Sequence, residues 1–404
     1  MTSEEVYVFL RTDAAYRPIG LLTRTGREGY HFRYGNRYLE DPAAFSIDPV
    51  RLPLCADEFF SNGLFNVFLD ACPDAWGRKL LGLMRGSDAG ELTDFEALTA
   101  AHSPDRTGAL AFGPTPRQPE SMSSWAKPSG TPATQGDIEL LARSVKDAES
   151  GRQAEVSDFL KAFLPSFTLG GARPKAGFSH EGALWIAKFP MDGDIWNEPL
   201  VEYGTMLLAE KCGIRIPEVK RLETSLGTVL LVKRFDRKGS AARHVISGFT
   251  LGDLREDGDW GSYQAMAEKA RRYGAVADGE EIFRRMVFNA LCNNSDDHPR
   301  NHAFFVDAGG VGMTPAFDVL PSARLYTVRE LALACGTGGR VVSTENLLSD
   351  VAPFGVSSAA AETVFKEVMG RVAGWEEHFA KLGLGSRELE LLAARMAGSF
   401  PAIQ

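Results

Sequence analysis

Residues Asn293-Asn294-Ser295-Asp296-Asp297-His298-Pro299-Arg300-Asn301 crowd two carboxylates, an imidazole, a guanidinium and three amides into nine positions. The apolar run 282–291, with helical spacing, leads into them, and Ala303-Phe304-Phe305-Val306 follows at once. Packing alone does not ask for such a polar knot between two apolar elements. Aspartate and asparagine also favour turns, because their side chains bond to nearby backbone, so a plain helix-to-strand loop is the competing explanation.

The spacing inside the knot argues for chemistry. Asn301 follows Asp296 at the separation that divides the catalytic-loop base from the magnesium-binding amide in protein kinases. Asp318, in Ala316-Phe317-Asp318-Val319-Leu320, lies one short hairpin further on, where a second metal carboxylate is expected. In this reading Asp296 orients a hydroxyl nucleophile or accepts its proton. Asn301 and Asp318 supply hard oxygen ligands, which suit magnesium better than zinc. Phosphoryl transfer needs positioning and charge neutralisation more than covalent help, so this set is sufficient. His298 and His302, close to Asp297, offer a transition-metal hydrolase site as the alternative, but Pro299 spoils a helix that would align the two rings.

The rest of the chain suits such an enzyme. Its 404 residues, 44% of them hydrophobic, allow two or three cored domains. The net charge of -9 gives no general attraction to nucleic acid or anionic membranes. Cys55, Cys72, Cys212, Cys292 and Cys335 form no Cys-x-x-Cys pair and are odd in number, which argues against a disulfide framework and a zinc knuckle. The N-terminus lacks a signal-peptide pattern, and no run approaches the ~18 apolar residues of a membrane span. A cytoplasmic location is expected.

Taken in order, residues 6–10, 19–23 and 29–34 read as strands. Residues 59–69 and 76–84 read as helices broken at Cys72-Pro73-Asp74, with Asp74 as cap, and 108–112 as a strand. A proline-rich stretch follows. The expected divisions are a β-rich subdomain at 1–113, a linker at 114–136, a kinase-like nucleotide lobe at 137–240 and a helical lobe carrying the catalytic loop at 241–404, an α+β architecture overall. Within the nucleotide lobe, 137–141, 156–163 and 202–212 read as helices, and 184–189 and 228–234 as strands. From Tyr263 onward the pattern is helical, apart from a hairpin at 303–306 and 312–316.

Three segments of that lobe are candidates for nucleotide contact. Leu169, Gly170, Gly171 and Ala172, with Lys175, form a turn whose backbone N–H groups can wrap a phosphate, although an ordinary hairpin turn explains the glycines as well. Lys188 interrupts an apolar strand and calls for a partner, for which Glu202 is the candidate; the alternative is a lysine snorkelling from an edge strand. Lys233, Phe235 and Asp236 follow the last strand, where backbone groups can meet an adenine or simply be solvated.

Together these features resemble the HipA family of bacterial serine/threonine-kinase toxins. The resemblance is carried by Pro73-Asp74-Ala75-Trp76-Gly77-Arg78, Gly108-Ala109-Leu110, Leu169-Gly170-Gly171-Ala172-Arg173-Pro174-Lys175, Lys188-Phe189-Pro190, Lys233-Arg234-Phe235-Asp236-Arg237, the Asp296–Asn301 stretch and Phe317-Asp318-Val319-Leu320-Pro321. It implies ATP and magnesium, with Asp296 as base, Asn301 and Asp318 as metal ligands, and Lys188 on the phosphates. It further implies a protein substrate, which in several members is an aminoacyl-tRNA synthetase, and a small DNA-binding antitoxin as partner. Neither end of the chain carries a helix-turn-helix, so DNA contact is expected only through that partner. Family members autophosphorylate a serine just before the glycine turn; here that position is Thr168, with Ser166 nearby, which puts self-inactivation in question. A small-molecule kinase and a catalytically idle binding subunit are the remaining function classes. The presence of Lys188, Asp296, Asn301 and Asp318 disfavours the idle one.

Overall fold

The computed structural model describes residues 3–12, 15–86, 92–101, 106–123, 134–149, 173–239, 241–255, 260–325 and 328–396. It separates into two compact units. One comprises Met1–Asp192, Leu222–Ile246 and Val306–Ala308, and the other Gly193–Arg221, Ser247–Phe305 and Gly309–Gln404.

The first unit opens with an antiparallel sheet built from β1 (Ser3–Arg11), β2 (Tyr16–Thr25), β3 (Gly29–Tyr34), β4 (Glu58–Asn62) and β5 (Leu110–Gly113), in the order β4-β3-β2-β1-β5. Along β3 the buried Tyr30, Phe32 and Tyr34 alternate with His31 and Arg33, as the two-residue period of a half-buried strand requires. The helix expected over 59–69 is instead β4, then Gly63 at φ 88° and a short helix Asn66–Leu69. Adjacent aromatics favour a pleated surface, and Phe59 pairs with Phe32 on β3. Asp74 does cap the helix Ala75–Arg85, accepting from the Gly77 N–H at 3.2 Å.

A second sheet, which lies in this unit except for residues 219–221, takes the order β6-β7-β9-β8, from β6 (Lys175–His180), β7 (Ala183–Lys188), β8 (Val219–Thr224) and β9 (Gly227–Lys233). Glu181 and Gly182, at φ 50° and 74°, make the two-residue turn between β6 and β7, the backbone that matches strand twist in a tight hairpin. One face of the sheet buries Phe178, Trp185, Ala187 and Leu231 against Trp76 and Leu80 of the capped helix and Leu141 and Val145 of the helix Ile138–Glu149. The helix expected at 156–163 lies outside the described residues.

The second unit is mostly helical. Its central helix, Gly279–Cys292, buries nearly every residue from Ile282 onward. Gly279 passes so close to Phe354 that a Cβ would lie 2.0 Å from the Phe354 carbonyl oxygen. The hairpin Ala303–Asp307 and Gly310–Met313 follows the polar knot. Beyond it the described residues of 314–343 form no helix, contrary to expectation. Pro315, Pro321 and a run of glycines deny them regular bonding, and the Asn346 side chain substitutes, accepting from Gly338 N–H (2.7 Å) and donating to the carbonyls of Gly339 (3.0 Å) and Val341 (2.7 Å). Helices Ser358–Val372, Trp375–Lys381 and Ser386–Met396 complete the unit. Strands and helices together give the expected α+β class. Among the described residues no helix is long and apolar enough to cross a membrane.

Phe178 faces Trp185 across β6 and β7, and both are wholly buried. Phe178→Ala is expected to cost about 3–5 kcal/mol, the range for emptying a packed aromatic site. A urea titration checks this through a lower midpoint at unchanged slope.

Candidate functional site

The polar knot starts where the central helix stops. Asn293 takes a left-handed conformation at φ 59° as the helix C-cap, which asparagine tolerates better than most residues. Asn294 then folds back on the helix, its N–H donating to the Asn289 carbonyl (2.9 Å) and its Nδ2 to Asn289 Oδ1 (3.1 Å). Both backbone groups of Asp296 are held by amides: its N–H donates to Asn294 Oδ1 at 3.4 Å, and its carbonyl accepts from Asn301 Nδ2 at 2.8 Å. Asp297 turns inward and is 1% exposed. Its Oδ2 accepts from the Tyr263 hydroxyl at 2.6 Å and its Oδ1 from the Ala332 N–H at 2.5 Å. Burial outweighs those two bonds and pushes the Asp297 carboxyl up to about 7.

Asp296 points the other way, its side chain 83% exposed, with His298 Nε2 3.9 Å from Oδ1. Its carboxyl is nevertheless raised from the usual range, first by the protein bulk around it and then by the Asp318 carboxylate; His298 and Arg324 oppose the shift. Asp318 sits at φ 58°, a backbone region aspartate enters more readily than most side chains. A narrow cavity beneath the loop is lined by Asn289, Asn294, Asp297, Asn301, His302 and Asp318. The residues of the expected metal oxygens, Asn301 and Asp318, therefore line the same cavity. The two histidines part company: His298 packs edge-on to Trp260, and His302 is buried against Tyr263, where burial drives its imidazole down to about 3. Among the described residues no group of three or more His, Cys, Asp or Glu is placed to hold a metal.

The nucleotide candidates fall in the first unit. Lys175 is buried with its Nζ 3.7 Å from Asp74, and lies directly across β6 and β7 from the half-buried Lys188. Lys233 pairs with Trp185 across β7 and β9, its Nζ 5.7 Å from the indole. Phe235 is half-buried. Asp236 is buried between Arg234 (2.8 Å) and Arg237 (2.7 Å), and also accepts from the Gly108 N–H at 2.8 Å. Burial works against its charge, but the two guanidiniums and the hydrogen bonds prevail and hold the carboxyl at about 2. Glu202 is buried on the helix Glu198–Lys211 of the second unit. Leu169, Gly170, Gly171, Ala172, Thr168 and Ser166 lie outside the described residues.

The profile described as the HipA-like C-terminal domain matches residues 167–375, more than half of the chain, and that of the HipA N-terminal domain matches residues 10–113. The chain belongs to the HipA family. Among curated relatives it is 27% identical over 207 residues to the serine/threonine-protein kinase toxin HipA of Shewanella oneidensis, covering 42% of this chain and 46% of that one. It is 27% identical over 154 residues to the putative kinase Y4dM of Sinorhizobium fredii, covering 34% and 37%. The chain thus matches less than half the length of either relative. Its fold is similar to that of the solved Shewanella oneidensis MR-1 structure titled as the toxin-antitoxin system HipA, HipB and its operator DNA complex, at a TM-score of 0.68 and 18% identity over 96% of each chain.

Tyr263, Asn289 and Asn294 are site residues that sequence reasoning passes over in this HipA-family chain. The one available signal is Asn289, an amide inside the apolar run Phe288-Asn289-Ala290-Leu291, which needs a buried polar partner.

Asp236→Ala would leave Arg234 and Arg237 buried without their shared carboxylate, at a cost of about 3–5 kcal/mol. With the Asp236 carboxyl held at about 2, below the usual aspartate range, the stabilisation is present above pH ~4 and is lost as pH falls through about 2. Urea denaturation of wild type and variant is expected to show a gap that is wide at pH 7 and shrinks in this acid window.

Proposed function

We propose that this chain is an ATP- and magnesium-dependent serine/threonine protein kinase, with a protein hydroxyl as phosphate acceptor. The observation that carries the reading is the presentation of Asp296. Its backbone is clamped on both sides by amides, and its carboxylate stands near water close enough to Asp318 to feel its charge. A raised carboxyl is a better proton acceptor near neutral pH than an ordinary surface aspartate. Asp296 thus accepts the proton of the incoming serine or threonine hydroxyl.

Asn301 and Asp318 fit a magnesium ion. Asn301 spends its Nδ2 on the Asp296 carbonyl, so Oδ1 is the acceptor it offers the cavity that Asp318 also lines. An amide oxygen and a carboxylate are hard donors of the kind magnesium prefers. Bound there, magnesium supplies positive charge against the phosphates of ATP. Lys188 is assigned to the phosphates, and Lys175, Lys233 and Phe235 to the nucleotide's surroundings, on the strength of family membership. The glycine turn Leu169 to Ala172 belongs to the same assignment, and Thr168 or Ser166 is the proposed autophosphorylation site. A kinase-toxin relative supports a protein substrate, and the solved complex of a HipA with HipB supports a small DNA-binding antitoxin as partner.

The test is transfer of labelled phosphate from ATP, with and without magnesium, to proteins of a cell lysate. Asp296→Asn is expected to lower transfer by about 100-fold or more with ATP binding retained. Asp318→Ala is expected to remove the magnesium dependence of ATP affinity, and Lys188→Met to depress transfer without lowering the melting temperature. Phosphate on Thr168 or Ser166 of the wild type, and none on Asp296→Asn, supports self-modification. Full transfer by Asp296→Asn refutes the assignment of the base.

A further inference from the structure

A second aspartate, adjacent to the proposed base, has no part in that mechanism and is built into the structure more thoroughly than the base itself. Three elements meet on the Asp297 carboxylate: the loop that carries it, the helix Tyr263–Arg272 through the Tyr263 hydroxyl, and the irregular segment after the hairpin through the Ala332 N–H. The hydrogen bonds around it also run in one direction. The Asp296 N–H donates to Asn294 Oδ1, Asn294 Nδ2 to Asn289 Oδ1, Asn289 Nδ2 to the Tyr263 oxygen, and the Tyr263 O–H to Asp297 Oδ2. The series begins on the backbone of Asp296 and ends on the side chain of the next residue, so it closes a ring around the Asp296–Asp297 peptide.

We propose that Asp297 is a positioning residue for the kinase reaction: through Tyr263, Asn289 and Asn294 it fixes the peptide at Asp296, so that the Asp296 carboxylate faces outward beside Asp318. This rests on the reading of Asp296 as the base. The chemistry of the ring explains why a carboxylate occupies a site that is 1% exposed. Two donors approach it, one on each oxygen, and each oxygen of a carboxylate accepts. An asparagine would turn an NH2 toward one of them, and an apolar side chain would leave both unpaired. A packed apolar residue is commonly as stable as a buried charge, so stability alone is a poor reason for an aspartate here, whereas a fixed register of the loop is a good one. Serial bonds polarised in one direction also strengthen one another and stiffen the ring as a whole.

The experiment compares Tyr263→Phe, Asp297→Asn and the double variant with wild type in the ATP transfer assay, with Asp296→Asn alongside and the folded fraction of each measured by near-UV circular dichroism. Each single variant is expected to lower kcat by about 10–100-fold per folded molecule, with KM for ATP within about twofold of wild type. The double variant is expected to fall little further than the worse single one, because one ring can be broken only once. Asn289→Ala, which opens the ring two bonds away from Asp296, is read in the same way where Tyr263→Phe does not fold. The proposal is overturned if the folded variants keep wild-type kcat, if KM rises as much as kcat falls, or if the losses of the single variants multiply. Inactive Asp296→Asn beside fully active ring variants removes the positioning role alone. Active Asp296→Asn removes both readings.

Discussion

A carboxylate taken out of water loses hydration that donors replace only in part, and one such group draws together several elements of the second unit. Asp297 draws in a hydroxyl from the helix Tyr263–Arg272 and an N–H from Ala332, and through Asn289 it reaches the central helix. Those contacts locate the loop between the central helix and the hairpin. They also tether part of the irregular segment, which lacks a hydrogen-bond ladder to fix it. Asn346 holds a later part of that segment by the same means, a side-chain amide standing in for backbone partners.

Asp236 meets the same difficulty in the first unit and resolves it in the opposite way. It is buried between two guanidiniums, so charge is answered with charge and the carboxyl is driven down to about 2. Asp297 is answered with neutral donors, which satisfy geometry without cancelling charge, and its carboxyl is driven up to about 7. Ion pairing at Asp236 joins the end of β9 to the segment leading into β5 at Gly108. Neutral donors add no further positive charge beside Asp296, the proposed base, whose proton affinity His298 and Arg324 already lower.

Sequence patterns revealed the fold where a side chain's environment follows from its own position. β3 and β7 have one buried face, which periodicity finds, while β9 and the central helix are buried nearly throughout and show as apolar runs. Residues 59–69 misled because a short apolar run serves either period, and the choice of β4 was made by Phe32 on a neighbouring strand. The site divides along the same line. Asp296, Asn301 and Asp318 stand out by their spacing, and two of them, Asn301 and Asp318, line one cavity. Tyr263 and Ala332 stand 34 and 35 positions from Asp297, and a backbone N–H leaves no mark in a sequence. Only the chain path could bring those donors to the carboxylate.

The contrast between neighbouring aspartates also bears on how Asp296, the proposed base, stays available. The Asp296 carboxyl is raised first by the protein bulk around it and then by repulsion from Asp318. Two mutually repelling carboxylates on mobile side chains would rotate apart. Here the backbone of Asp296 is held at its N–H and its carbonyl, and Asp318 is committed to a left-handed backbone, so the repulsion persists as a local concentration of negative charge. In the proposed kinase a divalent cation between hard oxygens would relieve that repulsion, and its binding free energy would include the relief. Under that proposal, a rigid loop that keeps Asp296 directed outward would also give a cation something to gain at Asp318, and a slack loop would forfeit both.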